Sequence, residues 1–334
     1  MLLTRKQLMA NAAAATAPLL LGGPVASQPP PVSSSCAFGS SAYGKPTAAH
    51  ILFSTQAAGR HLNHVHSELF QFNPTGQTAS GAVAYPAVTL QNELAAMNGG
   101  YELILNAVGK CHTDLTWPPG GLADIIALTP YVRACFDGWI TLINMLPRAV
   151  WLRPWREMTN VAANPWTRNA TPAQFIDAWQ TMYGYFGSNG CTNARFTWCI
   201  ASHPRNPTDG RAWFPGENAV DWIGADTYSS DNNGFADLVL GLRVWYASFN
   251  QGSGSVCRSR PLIVCEMGDS QYDPNRISRT LGILPAMRAY PSIQAVTWWN
   301  QPGDQWGIVD TPSGHLAAFQ SVFQNPYFGA HVAP

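Results

Sequence analysis

Two glutamates stand where an apolar run gives way to polar residues. Glu157 closes A-V-W-L-R-P-W-R-E (residues 149–157), where Trp151, Arg153, Trp155 and Arg156 crowd around it. Glu266 closes P-L-I-V-C-E (residues 261–266). Pro154 cannot donate to a sheet ladder, so regular pairing is expected to stop about there and release Glu157 at the C-terminal end of a strand. One carboxylate beside two guanidinium groups is an ordinary structural ion pair. Two carboxylates at the mouths of two strands can do more. One protonates a leaving oxygen while the other attacks an anomeric carbon or activates water, which is the division of labour in glycoside hydrolysis. Such a pair needs pKa values pushed apart. Arg153 precedes Glu157 by four residues, which on an undistorted strand puts both on one face. A guanidinium favours the ionised form of whichever carboxylate it touches, and the spacing leaves open which one that is.

For the glutamates to meet, the strands carrying them must converge. Short continuous apolar runs, of the kind that suit parallel strands buried on both faces, occur at residues 49–54, 102–108, 150–155, 196–201, 220–226, 262–266 and 293–299. One further strand is expected within residues 56–86. Helical patterns lie between them at 88–97, 122–146 (with a break at Pro130), 172–186 (capped by Thr171), 235–248, 277–290 and 315–323. Alternating strand and helix over this length predicts an α/β fold, a single eight-stranded (β/α)8 barrel whose strand ends share one face. A doubly wound open sheet is the alternative. It would carry a glycine-rich phosphate turn after its first strand, which residues 54–60 do not supply.

In a barrel, other strand ends join the same face. His112 follows the strand ending near Val108, and His203 the one ending near Ala201. Asp226 and Tyr228 end V-D-W-I-G-A-D-T-Y, and Trp298, Trp299 and Asn300 end the last strand. Each has a plainer reading: a solvated loop histidine, a core tyrosine, a packed tryptophan. Asp226 is read as a structural hydrogen-bonding residue. His61, His64 and His66 share no helical or strand period, so no metal site is expected.

The 334 residues carry 11% charged and 46% hydrophobic side chains, with zero formal net charge. That composition argues against disorder and against nucleic acid or an anionic membrane as partner. Thirteen Trp and eleven Tyr suit stacking surfaces for a neutral ligand such as a sugar. Arg5 and Lys6, an Ala/Leu-rich run to Leu21 and small residues at 25–27 have the layout of a signal peptide over residues 1–27. Thr4–Met9 resembles a twin-arginine signal with Lys6 at its second arginine. Residues 28–44 read as a Pro/Ser-rich tether and 45–334 as the barrel. The apolar run is too short for a membrane anchor. Of seven cysteines, Cys199 and Cys265 lie in apolar strands and read as buried thiols. Cys111, Cys135, Cys191 and Cys257 are the bridge candidates.

R-P-W-R-E-M-T-N followed by P-W-T resembles the acid/base strand of glycoside hydrolase family 26, the β-mannanase family of the retaining barrel clan. F-P-G-E-N-A-V-D-W-I-G-A-D-T-Y (residues 214–228), P-L-I-V-C-E-M-G (261–268) and A-V-T-W-W-N (295–300) are similar to its sixth-, seventh- and eighth-strand motifs, in the same order. The resemblance covers roughly residues 150–300. It implies Glu157 as general acid/base, Glu266 as nucleophile and Tyr228 as the donor that orients Glu266. It also implies Trp298 as the floor of the cleaved sugar's subsite, with Trp299 turned to the helices, Trp166 lining the neighbouring subsite and His112 matching a family histidine. Arg156 departs from the pattern, because the family has histidine there and the clan asparagine, at a position that meets the substrate near its 2-hydroxyl. A cationic fork there puts mannan specificity in question more than the chemistry.

The expectation is a secreted or periplasmic, retaining endo-β-glycanase that needs no cofactor and acts, as a monomer, on a polysaccharide or oligosaccharide. β-1,4-Mannan leads; β-glucan, xylan or a cell-envelope glycan are the alternatives within the same chemistry. A non-catalytic carbohydrate-binding barrel is the alternative from another class.

Overall fold

The computed structural model describes residues 35–41, 48–60, 62–70, 94–107, 120–159, 170–201, 209–229, 245–246, 259–300, 307–309 and 311–329. Eight parallel strands close into a barrel in sequence order: β1 (Ala37–Ser41), β2 (His64–Phe70), β3 (Glu102–Ala107), β4 (Val150–Pro154), β5 (Ala194–Ala201), β6 (Trp222–Ser229), β7 (Leu262–Asp269) and β8 (Ile293–Trp299), which pairs back onto β1. The helices around it include α1 (Ala48–Ala58), α2 (residues 94–98), α3 (Leu122–Ile126), α4 (Pro130–Met145), α5 (Pro172–Ser188), α6 (Asp209–Ala212), α7 (Arg276–Ala289) and α8 (His315–Phe323). This is the (β/α)8 barrel that the alternating pattern predicts. Thr171 caps α5 as expected. Its hydroxyl accepts from the Gln174 amide while the Gln174 side chain accepts from Thr171 N, a reciprocal arrangement that satisfies two otherwise orphaned donors.

Two parities run through the strands. Val150, Leu152, Ile223, Ala225, Val264, Met267, Val296 and Trp298 join the main core with the helices. Ala37, Ile104, Trp151, Cys199, Trp222, Ile263, Cys265 and Ala295 form a separate buried cluster inside the barrel. Trp151 fills much of that interior, edge-on to Trp222 at 5.5 Å and to the His64 ring at 5.4 Å.

The start of the barrel differs from the sequence expectation. The first strand is Ala37–Ser41, inside the stretch read as a tether over 28–44, and the apolar run at 49–54 is part of helix α1. The inner positions of β1 are small, Ala37 and Gly39, so the strand lacks the bulky apolar signature by which strands are recognised. The run in α1 is ambiguous between helix and strand by composition. The structure resolves it helically. Ser54 and Ala58 are buried four residues apart, while Leu52 is 57% exposed. Ser54 ties the helix to the barrel, because Ser40 Oγ donates to its hydroxyl at 3.0 Å and Asn300 Nδ2 at 3.1 Å.

Gly39 is small for a reason. A Cβ there would clash with the His64 ring and lie 2.5 Å from the His64 carbonyl oxygen. His64 cannot yield, since it is fully buried and its Nε2 is bonded to Thr297 Oγ1 at 2.8 Å. Burial lowers its pKa to about 3, so the ring stays neutral. Gly39→Ala is expected to cost about 1–3 kcal/mol of stability by overpacking, read from the midpoint of urea unfolding.

Candidate functional site

The carboxyl ends of β4, β6 and β7 bring together six ionisable side chains, Arg153, Arg156, Glu157, Asp226, Tyr228 and Glu266. β4 supplies Arg153 at its inner face, fully buried. Its Nη1 donates to Asp226 Oδ1 at 2.6 Å and its Nη2 donates to Glu266 Oε1. Arg156, one turn further on and 22% exposed, donates from Nη1 to the same Glu266 oxygen at 2.7 Å. Tyr228, from β6, donates its hydroxyl to the other oxygen, Glu266 Oε2, at 2.7 Å. Glu266 is thus held at both oxygens by donors from two separate elements. The question the spacing left open is answered: Arg153 faces Glu266 and Asp226.

Irregular backbone makes this possible. Pairing of β6 with β7 steps from Ala225–Val264 to Asp226–Glu266, so β7 carries one extra residue, and its pairing with β8 is offset over Val264–Met267 too. A bulge of this kind re-aims a side chain. Here Cys265 and Glu266 both serve the interior, and Met267 returns to the helical side. On β4 regular pairing stops at Pro154, as the proline predicts. The chain then turns through Trp155 (φ 47°) and Glu157 (φ 55°), conformations that cost a non-glycine residue about 1–3 kcal/mol each. Arg153 and Glu157 therefore do not share a face of one strand; the turn, not the pleat, brings Glu157 in. The turn is held by the Glu157 amide donating to Cys199 O on β5 at 2.9 Å. The Trp155 ring, buried among Phe175 and Trp179 of α5, secures its other end.

The electrostatics separate the two glutamates. Burial raises the pKa of Glu157, and the charge of Glu266 raises it further. Arg156 and then Arg153 pull it down without cancelling the rise. Glu157 is therefore set up to hold a proton at pH values where ordinary carboxylates do not. Burial would discharge Arg153, but Asp226 and Glu266 outweigh it, and its pKa lies well above the usual value. Burial and the Glu266 charge raise the Tyr228 pKa, keeping its hydroxyl protonated and able to donate.

Cys199, Asp226 and Cys265 also cluster, with their ligand atoms within 4.8 Å of one another. The space among them is already claimed by a cation. Arg153 Nη1 lies 2.6 Å from Asp226 Oδ1 and 3.6 Å from Cys199 Sγ, and burial raises the Cys199 thiol well above its usual pKa. A protonated thiol beside a guanidinium is a poor metal ligand. Cys199 and Cys265 are buried free thiols, as their apolar strands suggest. Cys135 and Cys191, read as bridge candidates, are also free thiols, and Cys111 and Cys257 lie outside the described residues.

Of the sequence-predicted site residues, Glu157, Glu266, Arg156 and Tyr228 come together. His112, Trp166 and His203 lie outside the described residues. Trp298 requires correction. It is fully buried on the helical side, with its ring 4.8 Å from Phe319 and 6.0 Å from Phe323, edge-on to both. Trp299, expected to face the helices, shares the inner parity of Ala295 and Thr297. The signal was present in α8, where His315, Phe319 and Phe323 recur every four residues and demand a large partner from the strand beneath. Asp226, read as merely structural, proves to be the second carboxyl group on Arg153, with burial raising its pKa well above the usual value against the pull of Arg153.

Neither a protein-family model nor a curated protein sequence matches the chain. Solved structures do. A family 26 β-mannanase from Bacteroides ovatus superposes with a TM-score of 0.65 at 14% identity, over 90% of this chain and 92% of that one. A modular endo-β-1,4-mannanase from Cellulomonas fimi gives 0.63 at 16%, over 90% and 73%. A β-mannanase from a symbiotic protist of the termite Reticulitermes speratus, solved with a gluco-manno-oligosaccharide, gives 0.61 at 16%, over 87% of each. These likenesses show the fold.

Removing Arg153 takes the cation from buried Asp226 and leaves Glu266 with Arg156, and breaking such a buried pair costs about 3–5 kcal/mol. Arg153→Met is expected to lose that much at pH 7 in urea unfolding. Protonating Asp226 relieves the unpaired charge, so the deficit relative to the parent should shrink as pH falls.

Proposed function

We propose that this protein is an exported, retaining β-glycoside hydrolase, with Glu157 as general acid/base, Glu266 as nucleophile and an endo-acting preference for β-1,4-mannan. The observation that carries the reading is the asymmetry of the pair. Glu266 is gripped at both oxygens by Arg153, Arg156 and Tyr228, as an attacking carboxylate must be. Glu157 stands nearby with a raised pKa, as a proton donor must. The mannan preference draws on the solved neighbours, which are described as β-mannanases. Export draws on the signal-like residues 1–27.

The reaction follows from these roles. The sugar binds with its glycosidic oxygen toward Glu157. Glu266 attacks the anomeric carbon as Glu157 gives its proton to the leaving oxygen, forming a glycosyl-enzyme. Water then displaces Glu266 while Glu157, now ionised, takes its proton. Tyr228 and Arg153 fix the attacking carboxylate within the near-attack geometry on which rate depends. Trp299, by its inner parity at the end of β8, takes the place of the sugar platform.

Glu266→Ala should abolish reducing-sugar release on a panel of mannan, β-glucan, xylan and cell-envelope glycans while the variant still folds, as read by circular dichroism. Binding without release by the parent protein would point instead to a carbohydrate-binding barrel. Proton NMR should show the first-formed product anomer with retained configuration; inversion would remove Glu266 from the nucleophile's role. Glu157 must carry its proton to act as acid, so kcat/KM should fall as pH rises through its raised pKa, placing the alkaline limb above the ordinary carboxylate range.

The two tryptophans of β8 should separate by their effect on KM. Trp299→Ala is expected to raise KM for polysaccharide and, because the residue is only 8% exposed, also to lower stability. Trp298→Ala should lower stability by about 3–5 kcal/mol, the usual cost of emptying a packed aromatic site.

A further inference from the structure

Arg156 stands where the resemblance to family 26 leads one to expect histidine, and a nucleophile already held by Arg153 and Tyr228 does not need a second guanidinium to position it. The charges around it show what it can do. Facing the cluster are Arg153 from β4, Arg156 and Glu157 from the turn, Asp226 and Tyr228 from β6 and Glu266 from β7, with the thiols of Cys199 and Cys265 beneath. Two guanidinium groups, Arg153 and Arg156, face Asp226 and Glu266, and burial pushes the Asp226 pKa well above its ordinary value although Arg153 opposes the rise.

We propose that Arg156 is a counter-ion shuttle, paired with Glu266 in the resting enzyme and with Glu157 in the glycosyl-enzyme. The role rests on the glycosidase reading above. In the first half-reaction a Glu266 oxygen bonds to the anomeric carbon. The glycosidic C–O bond breaks with its electron pair on the leaving oxygen, which receives the Glu157 proton. Glu266 has become a neutral ester and Glu157 a carboxylate, so one negative charge has crossed the cleft. In the second half-reaction the oxygen of water bonds to the anomeric carbon and its proton goes to Glu157. The ester C–O bond then breaks with its pair returned to Glu266, and the charge crosses back.

A cation at the rim can follow it. Arg153 cannot, being fully buried and anchored to Asp226 at 2.6 Å. Arg156 can. It is 22% exposed, adjoins Glu157 on the same turn and loses its Glu266 partner when the ester forms. Of the two cations acting on Glu157 it is the stronger. Once paired with Glu157 it favours the ionised form, which the second half-reaction needs as its base.

The test separates the half-reactions. 2,4-Dinitrophenyl β-mannobioside and β-cellobioside carry a leaving group that departs without a proton, so the first half-reaction is insensitive to the charge of Glu157. Arg156→Gln should retain a pre-steady-state burst of dinitrophenolate, while its steady-state rate falls on the order of tenfold or more. Intact-protein mass spectrometry should show the glycosyl-enzyme accumulating. The acid limb of kcat should move to higher pH, because Glu157 in the intermediate keeps its proton longer without the cation. Arg156→Lys, which keeps the charge, should recover most of the steady-state rate. Burst and steady state falling by the same factor, with no adduct, would overturn the shuttle and leave Arg156 as a positioning group alone. A parent enzyme that releases no more dinitrophenolate than Glu266→Ala from either glycoside would overturn the glycosidase reading, and the shuttle with it.

Discussion

The site depends on one buried cation. Arg153 sits inside the barrel, linking Asp226 on β6 to Glu266 on β7 from its own place on β4. Moving a charge into a protein interior costs several kcal/mol even after relaxation. The Arg153 charge is tolerable because its planar fork meets two carboxylates at once, and Tyr228 and Arg156 complete the demands of Glu266. Without the guanidinium, burial would favour neutral carboxylates. The nucleophilicity proposed for Glu266 thus rests on the β4–β6–β7 triangle more than on Glu266 itself.

The same triangle frames the role proposed for the second guanidinium. Arg153 is fully buried and bonded to Asp226, while Arg156 reaches Glu266 from the rim with 22% of its side chain exposed. On the proposed glycosidase reading, a fixed inner cation and an outer one able to move divide two requirements, ionisation of the nucleophile and alternating ionisation of the acid/base.

Much of this was legible in the chain because parallel strands buried on both faces are written as uninterrupted apolar runs. Those of β3 to β8 stand out, and a glutamate closing two of them marks the site. What stayed hidden was hidden for physical reasons. The inner face of β1 is small, and at Gly39 this is because the His64 ring occupies the space a side chain would need. The apolar run in α1 has the composition of a strand, and only the helical spacing of its buried residues distinguishes it. The bulge at Cys265–Glu266 leaves no trace in residue types, since it is a matter of count between neighbouring strands. The orientation of Trp298 and Trp299 turns on one step of register, which neither indole announces; the aromatic face of α8 does. His112, His203 and Trp166 lie outside the described residues.

Neither glutamate sits on an ideal pleat: Glu266 lies at a bulge within β7 and Glu157 on the turn after β4. A residue on an ideal pleat is locked to the spacing of its strand, and inner side chains of neighbouring strands are packed against one another. A bulge moves Glu266 out of that lattice toward Arg153. Left-handed backbone at Trp155 and Glu157 swings the second carboxylate across from β4. The strain is local and is over-determined by its surroundings: the Glu157 amide is bonded to Cys199 O, and the Trp155 ring is wedged against α5. The barrel therefore contributes rigidity where Arg153 and Asp226 sit and tolerates irregularity one layer higher. Charge is stored in the regular part of the fold, and chemistry is positioned by the irregular part.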